Sequence, residues 1–167
     1  MIKDLSIDRP CQVRASDISY LRTEKGFVYL SLLTDMCSRK IVGWSVSNSL
    51  YIEGCLSALK KAVMEHAVQS PLIHHSYRGV QYCSHEYVKT LKKNKIEISM
   101  TEENHCYGNA MAEHVNGILK VEYLLDSTFK DLSYAQKACR EAVMLYNTRR
   151  PNWALKFKTP IQVHYAA

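Results

Sequence analysis

Ile73-His74-His75-Ser76-Tyr77-Arg78-Gly79-Val80-Gln81-Tyr82 and Cys106-Tyr107-Gly108-Asn109-Ala110-Met111-Ala112-Glu113-His114-Val115-Asn116-Gly117 are the segments around which the chain is organised. The first starts apolar and turns polar, the pattern of a buried strand ending in a loop. The second reads as the start of a helix carrying one carboxylate, Glu113. Upstream, Val13-Arg14-Ala15-Ser16-Asp17-Ile18-Ser19-Tyr20-Leu21 has strand alternation that puts a second carboxylate, Asp17, on one face with Val13, Ala15, Ser19 and Leu21. An acid on such a face is costly unless it is paired or bound to metal.

The remaining elements follow from period and punctuation. Thr23-Glu24-Lys25-Gly26 is a turn in which glycine supplies the positive φ. Residues 27–35 and 40–47 are rich in β-branched and aromatic side chains and predict two further strands, making an antiparallel meander with the first. Ile52, Leu56, Leu59, Ala62, Val63 and His66 recur at helical spacing, so a helix is expected over 52–68 and ends at Ser70-Pro71. A short strand at 72–74, a helix at 85–93 with Tyr87, Val88 and Leu91 inward, and a strand at 96–100 come next. Helices from Asn109 to about Leu125 and over 134–147 complete the series, the latter with Tyr134, Leu145 and Tyr146 as core positions. The order β-β-β-α-β-α-β-α-α predicts an α/β domain: a mixed five-stranded sheet flanked by helices on both faces. Residues 1–12 read as an N-terminal linker, 13–150 as the core, and 151–167, with little periodicity, as a flexible C-terminal tail.

The 167 residues suffice for one domain with a real core. No apolar run is long enough for a membrane span, and the N-terminus lacks a signal-peptide core, which together predict a cytoplasmic or nucleoid-associated protein. The net charge of +6 favours a polyanionic partner. The six cysteines include no CxxC pair and read as reduced core thiols. Cys83 with His85, and His105 with Cys106, lack the paired spacing of structural zinc ligands. His74 and His75 point to opposite faces of their strand, so they do not readily bind one metal together.

The predicted order is that of the ribonuclease-H-like fold, and five motifs sharpen the match. Ser16-Asp17-Ile18-Ser19-Tyr20 resembles the first-acid strand of DDE transposases, and Asp35-Met36-Cys37-Ser38-Arg39-Lys40-Ile41-Val42-Gly43-Trp44 resembles their second hairpin. His74 to Tyr82 resembles their H-S-D-x-G-x-Q-Y loop, and Cys106 to Glu113 resembles their C-Y-D/E-N-A-x-A-E segment. Tyr146-Asn147-Thr148-Arg149-Arg150-Pro151 and Thr159-Pro160 resemble the closing elements. In this order the motifs identify the chain as a member of the OrfB-type insertion-sequence transposases of the IS-three group, with a retroviral-integrase-like catalytic core.

That resemblance implies a site of three carboxylates holding two Mg2+ or Mn2+ ions, which activate a water or 3′-hydroxyl and stabilise the leaving oxygen of a phosphodiester. Asp17 and Glu113 match the first and third acids. Position 77 leaves the family's gap of 35 residues before Glu113 intact, but it holds tyrosine instead of the second Asp. A phenol is neutral at pH 7 and a poor ligand for Mg2+, so weakened metal binding is expected. Asp35, placed opposite Arg14, and Glu86, in the next helix, do not replace it. Arg14 and Gly108 also depart from the family pattern, where Trp and an acid are usual. Asn116, Gly117 and Lys120 share the helix face of Glu113, which makes Asn116 and Lys120, with Arg78 in the loop, candidates for DNA contact.

The implied function is metal-dependent phosphodiester transfer during DNA integration, impaired at Tyr77. A remnant that binds DNA or a transposase partner without cutting is the alternative. A ribonuclease-H-type nuclease shares the fold but not the transposase motifs. Implied partners are double-stranded DNA (transposon ends and target), further copies of the chain on that DNA, and a helix-turn-helix partner or missing N-terminal segment that recognises the ends.

Overall fold

The computed structural model describes residues 5–65, 71–101 and 110–166. Three consecutive strands, β1 (Val13–Thr23), β2 (Gly26–Asp35) and β3 (Ile41–Ser47), form the meander. Helix α1 (Ile52–Glu65), strand β4 (Leu72–Ser76), helix α2 (His85–Lys93) and strand β5 (Ile96–Met100) alternate after it. Helices α3 (Ala110–Glu122) and α4 (Leu132–Arg149) follow, then a 3-10 turn (Trp153–Leu155) and a short helix α5 (Pro160–His164). The sheet order is β3-β2-β1-β4-β5, with β1 antiparallel to β2 and parallel to β4. The mixed five-stranded sheet predicted from the sequence is therefore present. Cys106 to Asn109, the last residues of the expected first helix including His66, and the His105–Cys106 pair lie outside the described residues.

Gly26 turns β1 into β2 at φ 119°, a value that a side chain would oppose. Each face of the sheet has its own core. Leu21, Leu30 and Leu32 pack under α3 and α4 with Val115, Leu119, Val143 and Tyr146. Leu33, Val42 and Leu72 pack under α1 and α2 with Leu56, Leu59, Tyr87 and Leu91. Gly43 lets α1 lie against β3: a Cβ there would stand 2.3 Å from the Ala58 carbonyl oxygen and 2.8 Å from Ala62 Cβ.

Three expectations are corrected. Residues 151–166 are not a flexible tail. Thr159 and Gln162 form a capping box that starts α5, and Pro160 and His164 at its two ends are buried. Tyr134 and Leu145 are exposed, because α4 turns only one stripe toward the sheet; Tyr146 is fully buried as expected. Strand β4 continues past His74 to Ser76, because its parallel partner β5 pairs with it up to Met100.

Candidate active site

Strand pairing brings the first acid and Tyr77 together. β4 runs parallel to β1 with Val13 opposite Ile73, Arg14 opposite His74 and Ala15 opposite His75. Continued by two residues, that register sets Tyr77, just past the end of β4, beside Asp17. Their electrostatics agree. Burial first, and then the charge of Asp17, push the Tyr77 phenol up to about 12, so it is neutral at physiological pH. Its ring lies edge-on against Tyr82, with centroids 5.4 Å apart, and folds over Gly79, where a Cβ would stand 2.7 Å from Tyr77 Cε2. The loop thus has room for a tyrosine because position 79 has no side chain.

Helix α3 crosses the same end of the sheet. Asn116 Nδ2 donates to Asp17 Oδ2 at 2.7 Å, with Asn116 buried against β1. Burial raises the Asp17 carboxyl above its usual range; the Asn116 bond opposes the rise, nearby Glu113 adds to it, and Lys120 counters it. Asp17, Glu113, Asn116, Lys120 and Tyr77 therefore share one locality. Glu113 is exposed and Lys120 half-buried on the α3 face that the sequence periodicity indicates. Arg78 is exposed in the loop after Tyr77.

The donors at this end of the sheet are hard oxygens. Asp17 and Glu113 supply carboxylates, and Asn116 turns its amide nitrogen, not its oxygen, to Asp17. Carboxylate oxygens of this kind fit a magnesium or manganese ion. Two carboxylates supply two negative charges, however, where a pair of divalent ions brings four positive ones.

Among the described residues, Asp35 and Glu86 do not fill the place of Tyr77. Asp35 pairs with Arg14 in the strand register and is fully buried; its Oδ1 accepts from Ser38 N and Oγ, both at 2.8 Å, and its Oδ2 accepts from Cys11 N at 2.7 Å. Glu86 is in the first turn of α2. Arg14 is buried and donates from Nη1 to the Ala62 carbonyl at 3.0 Å, so it ties β1 to α1. Both histidines of β4 are buried, on separate partners. His74 Nε2 lies 3.2 Å from Ser16 Oγ and 3.3 Å from Tyr87 OH, and burial lowers it to about 3; His75 Nδ1 lies 3.0 Å from Ser99 Oγ.

In the closing Tyr-Asn-x-x-Arg motif the sequence assigns only Tyr146, to the core, and the structure supplies roles for all three residues. Tyr146 OH donates to the Arg39 carbonyl at 3.0 Å. Asn147 accepts from Ile41 N at 2.9 Å and donates to Ile41 O at 3.0 Å. Arg150 forms a two-pronged ion pair with Glu122, at 2.7 and 2.6 Å, that joins the ends of α3 and α4. The motif clamps the helix layer that carries Glu113 and Asn116.

The chain is similar to known proteins in both sequence and fold. Models of the integrase core domain match residues 8–106 and 94–160. The transposase for insertion sequence element IS629 of Shigella sonnei is 35% identical over 143 residues, 86% of this chain and 48% of that protein. Transposase InsF for insertion sequence IS3A of Escherichia coli is 38% identical over 120 residues, 72% of this chain and 42% of that protein. The chain spans about half the length of these relatives. Among solved structures, a simian T-cell lymphotropic virus intasome superposes with a TM-score of 0.81 at 18% identity, covering 95% of this chain and 56% of that one. The HTLV-2 integrase catalytic core domain in complex with magnesium gives 0.74 at 21%, covering 94% and 98%. The chain therefore belongs to the integrase core domain family, with IS3-group transposases among its relatives.

Proposed function

We propose that the chain is the catalytic core of a DNA transposase whose phosphodiester-transfer chemistry is impaired at Tyr77. The observation that carries this reading is the grouping of Asp17, Asn116 and Glu113 around a neutral tyrosine. A hard divalent ion, when bound, supplies charge neutralisation at a phosphodiester and activates the attacking oxygen. Asp17 and Glu113 would hold that ion, and Asn116 keeps the Asp17 carboxylate oriented. Lys120, whose charge acts on Asp17, is the candidate to neutralise a phosphate, and exposed Arg78 in the loop is a second one. The net charge of +6 supports a double-stranded DNA partner, with transposon ends and target read by further copies or by a helix-turn-helix segment or partner. Among the described residues no helix is long and apolar enough to cross a membrane.

Tyr77 also favours a second reading, a core that still binds DNA but no longer joins it. Strand joining with Mg2+ or Mn2+ on transposon-end DNA separates the two. The first reading expects weak joining by the natural chain, stimulated by Mn2+ and increased in Tyr77→Asp. DNA binding with no joining by either protein under any metal selects the second reading. Equal joining by both proteins refutes the claim that Tyr77 impairs the site.

A further inference from the structure

Away from Asp17 and Glu113, three potential metal ligands from distant parts of the chain converge. Cys11 precedes β1, Asp35 ends β2 and His164 ends α5; one ligand atom from each lies within 4.8 Å of the others. Asp35 and His164 are buried, and Cys11 is half-buried, which leaves a path from solvent.

The hydrogen bonds define how each group is presented. A carboxylate only accepts, so Ser38 Oγ gives its single hydrogen to Asp35 Oδ1 at 2.8 Å. Ser38 Oγ must then accept from His164 Nδ1, also at 2.8 Å. That places the proton of the neutral ring on Nδ1 and makes Nε2 the unprotonated nitrogen, the form that ligates a metal. Nε2 faces Cys11 Sγ at 3.8 Å. Nitrogen and sulfur bound tetrahedrally to one zinc ion stand about 3.5 Å apart, given bond lengths of about 2.0 and 2.3 Å. The Ser38 hydroxyl behind His164 Nδ1 has the form of the hydrogen-bonded support that orients metal-bound histidines. Cys11 sits at φ 61°, a left-handed conformation held by its backbone bond to Asp35 Oδ2 at 2.7 Å. Arg14 Nη2 stands 3.8 Å from Cys11 Sγ and helps fix the position of the sulfur.

We propose that Cys11, Asp35 and His164 form a zinc site that clasps the segment before β1 and the C-terminal helix α5 onto the end of β2. Thiolate, imidazole and carboxylate together suit zinc and not magnesium, and three protein ligands leave the fourth position to water. On binding, the Cys11 thiol loses its proton to solvent and its sulfur bonds the metal, with no change of oxidation state. The site is distinct from the oxygen donors around Asp17. Its ligands are too far apart in sequence for any spacing motif to show it.

Cobalt titration of the reduced, metal-free chain tests the proposal, because thiolate ligation of cobalt gives a near-ultraviolet charge-transfer band. The expected result is a saturable band displaced by Zn2+, retained in Cys83→Ser and lost in both Cys11→Ser and Cys11→Ala. Zinc should also raise the melting temperature of the natural chain but not of the Cys11 variants, and should protect Cys11 from alkylation. His164→Gln, which removes a ligand without touching the thiol, should weaken cobalt binding at least tenfold. The absence of a band in the natural chain, its survival in the Cys11 variants, or alkylation of Cys11 at the same rate with and without zinc overturns the proposal.

Discussion

Asn147 offers a quantitative test of how the helix layer is held over the sheet. β3 is an edge strand, and its pairing with β2 is irregular between Leu33 and Thr34, where Ile41 meets Thr34. Both backbone polar groups of Ile41 bond to the Asn147 side chain, at 2.9 and 3.0 Å, so one amide does for this residue what a further strand would do. Asn147→Leu removes both partners at once. Each buried backbone group left unpaired costs about 1–3 kcal/mol, so a total loss of roughly 2–6 kcal/mol is expected. That is a large share of a domain stability of about 5–15 kcal/mol. At about 2–4 °C per kcal/mol for a chain of this size, the melting temperature should fall by roughly 4–24 °C. Tyr146→Phe removes only the bond to the Arg39 carbonyl and should cost about 0.5–1.5 kcal/mol. Urea unfolding followed by circular dichroism measures both. The reasoning fails if Asn147→Leu unfolds with its parent, or if Tyr146→Phe is the more damaging change.

Further outcomes follow from other contacts. Gly43→Ala should destabilise by about 1–3 kcal/mol in the same urea assay, because the new methyl meets the backbone of α1 at 2.3 Å. Arg150→Ala should cost no more than about 1 kcal/mol at neutral pH, since Glu122 is exposed and Arg150 only half-buried. The Arg150 bond lowers the Glu122 carboxyl, so this contribution is present above the ordinary glutamate range and fades as pH falls through the lowered value. Melting curves of the two proteins should therefore converge in acid and stay apart at neutral pH. Lys120→Ala should weaken DNA binding and reduce the dependence of log affinity on log salt by about one unit, as loss of one phosphate contact requires; an unchanged salt slope would remove Lys120 from the interface.

Much of this architecture is legible in the sequence because local pattern and tertiary environment agree. The meander, the alternation after it and the separation of Asp35 from Asp17 all follow from side-chain period and one glycine turn. Strand ends were less legible: Ser76 belongs to β4 only because a parallel neighbour continues, and no local signal carries that. The C-terminal segment misled for a similar reason. Its order comes from a capping box and a buried histidine bonded to Ser38, a residue far away in sequence. In the site, periodicity placed Asn116 and Lys120 on the Glu113 face, but the bond from Asn116 to Asp17 depends on how α3 crosses β1. The Tyr-Asn pair was visible as a motif, while its task needed the coordinates of the irregular edge strand. Gly79 is visible in the sequence, but the closeness of the Tyr77 ring to it is a feature of the folded loop alone.

With Tyr77 at the position proposed for a metal ligand, a manganese titration of the natural chain beside Tyr77→Asp reads the missing carboxylate. A third carboxylate should raise Mn2+ affinity at least about tenfold, or about 1.4 kcal/mol, and Glu113→Gln in the same background should reverse the gain. Equal Mn2+ affinity in the natural chain and Tyr77→Asp would contradict the account.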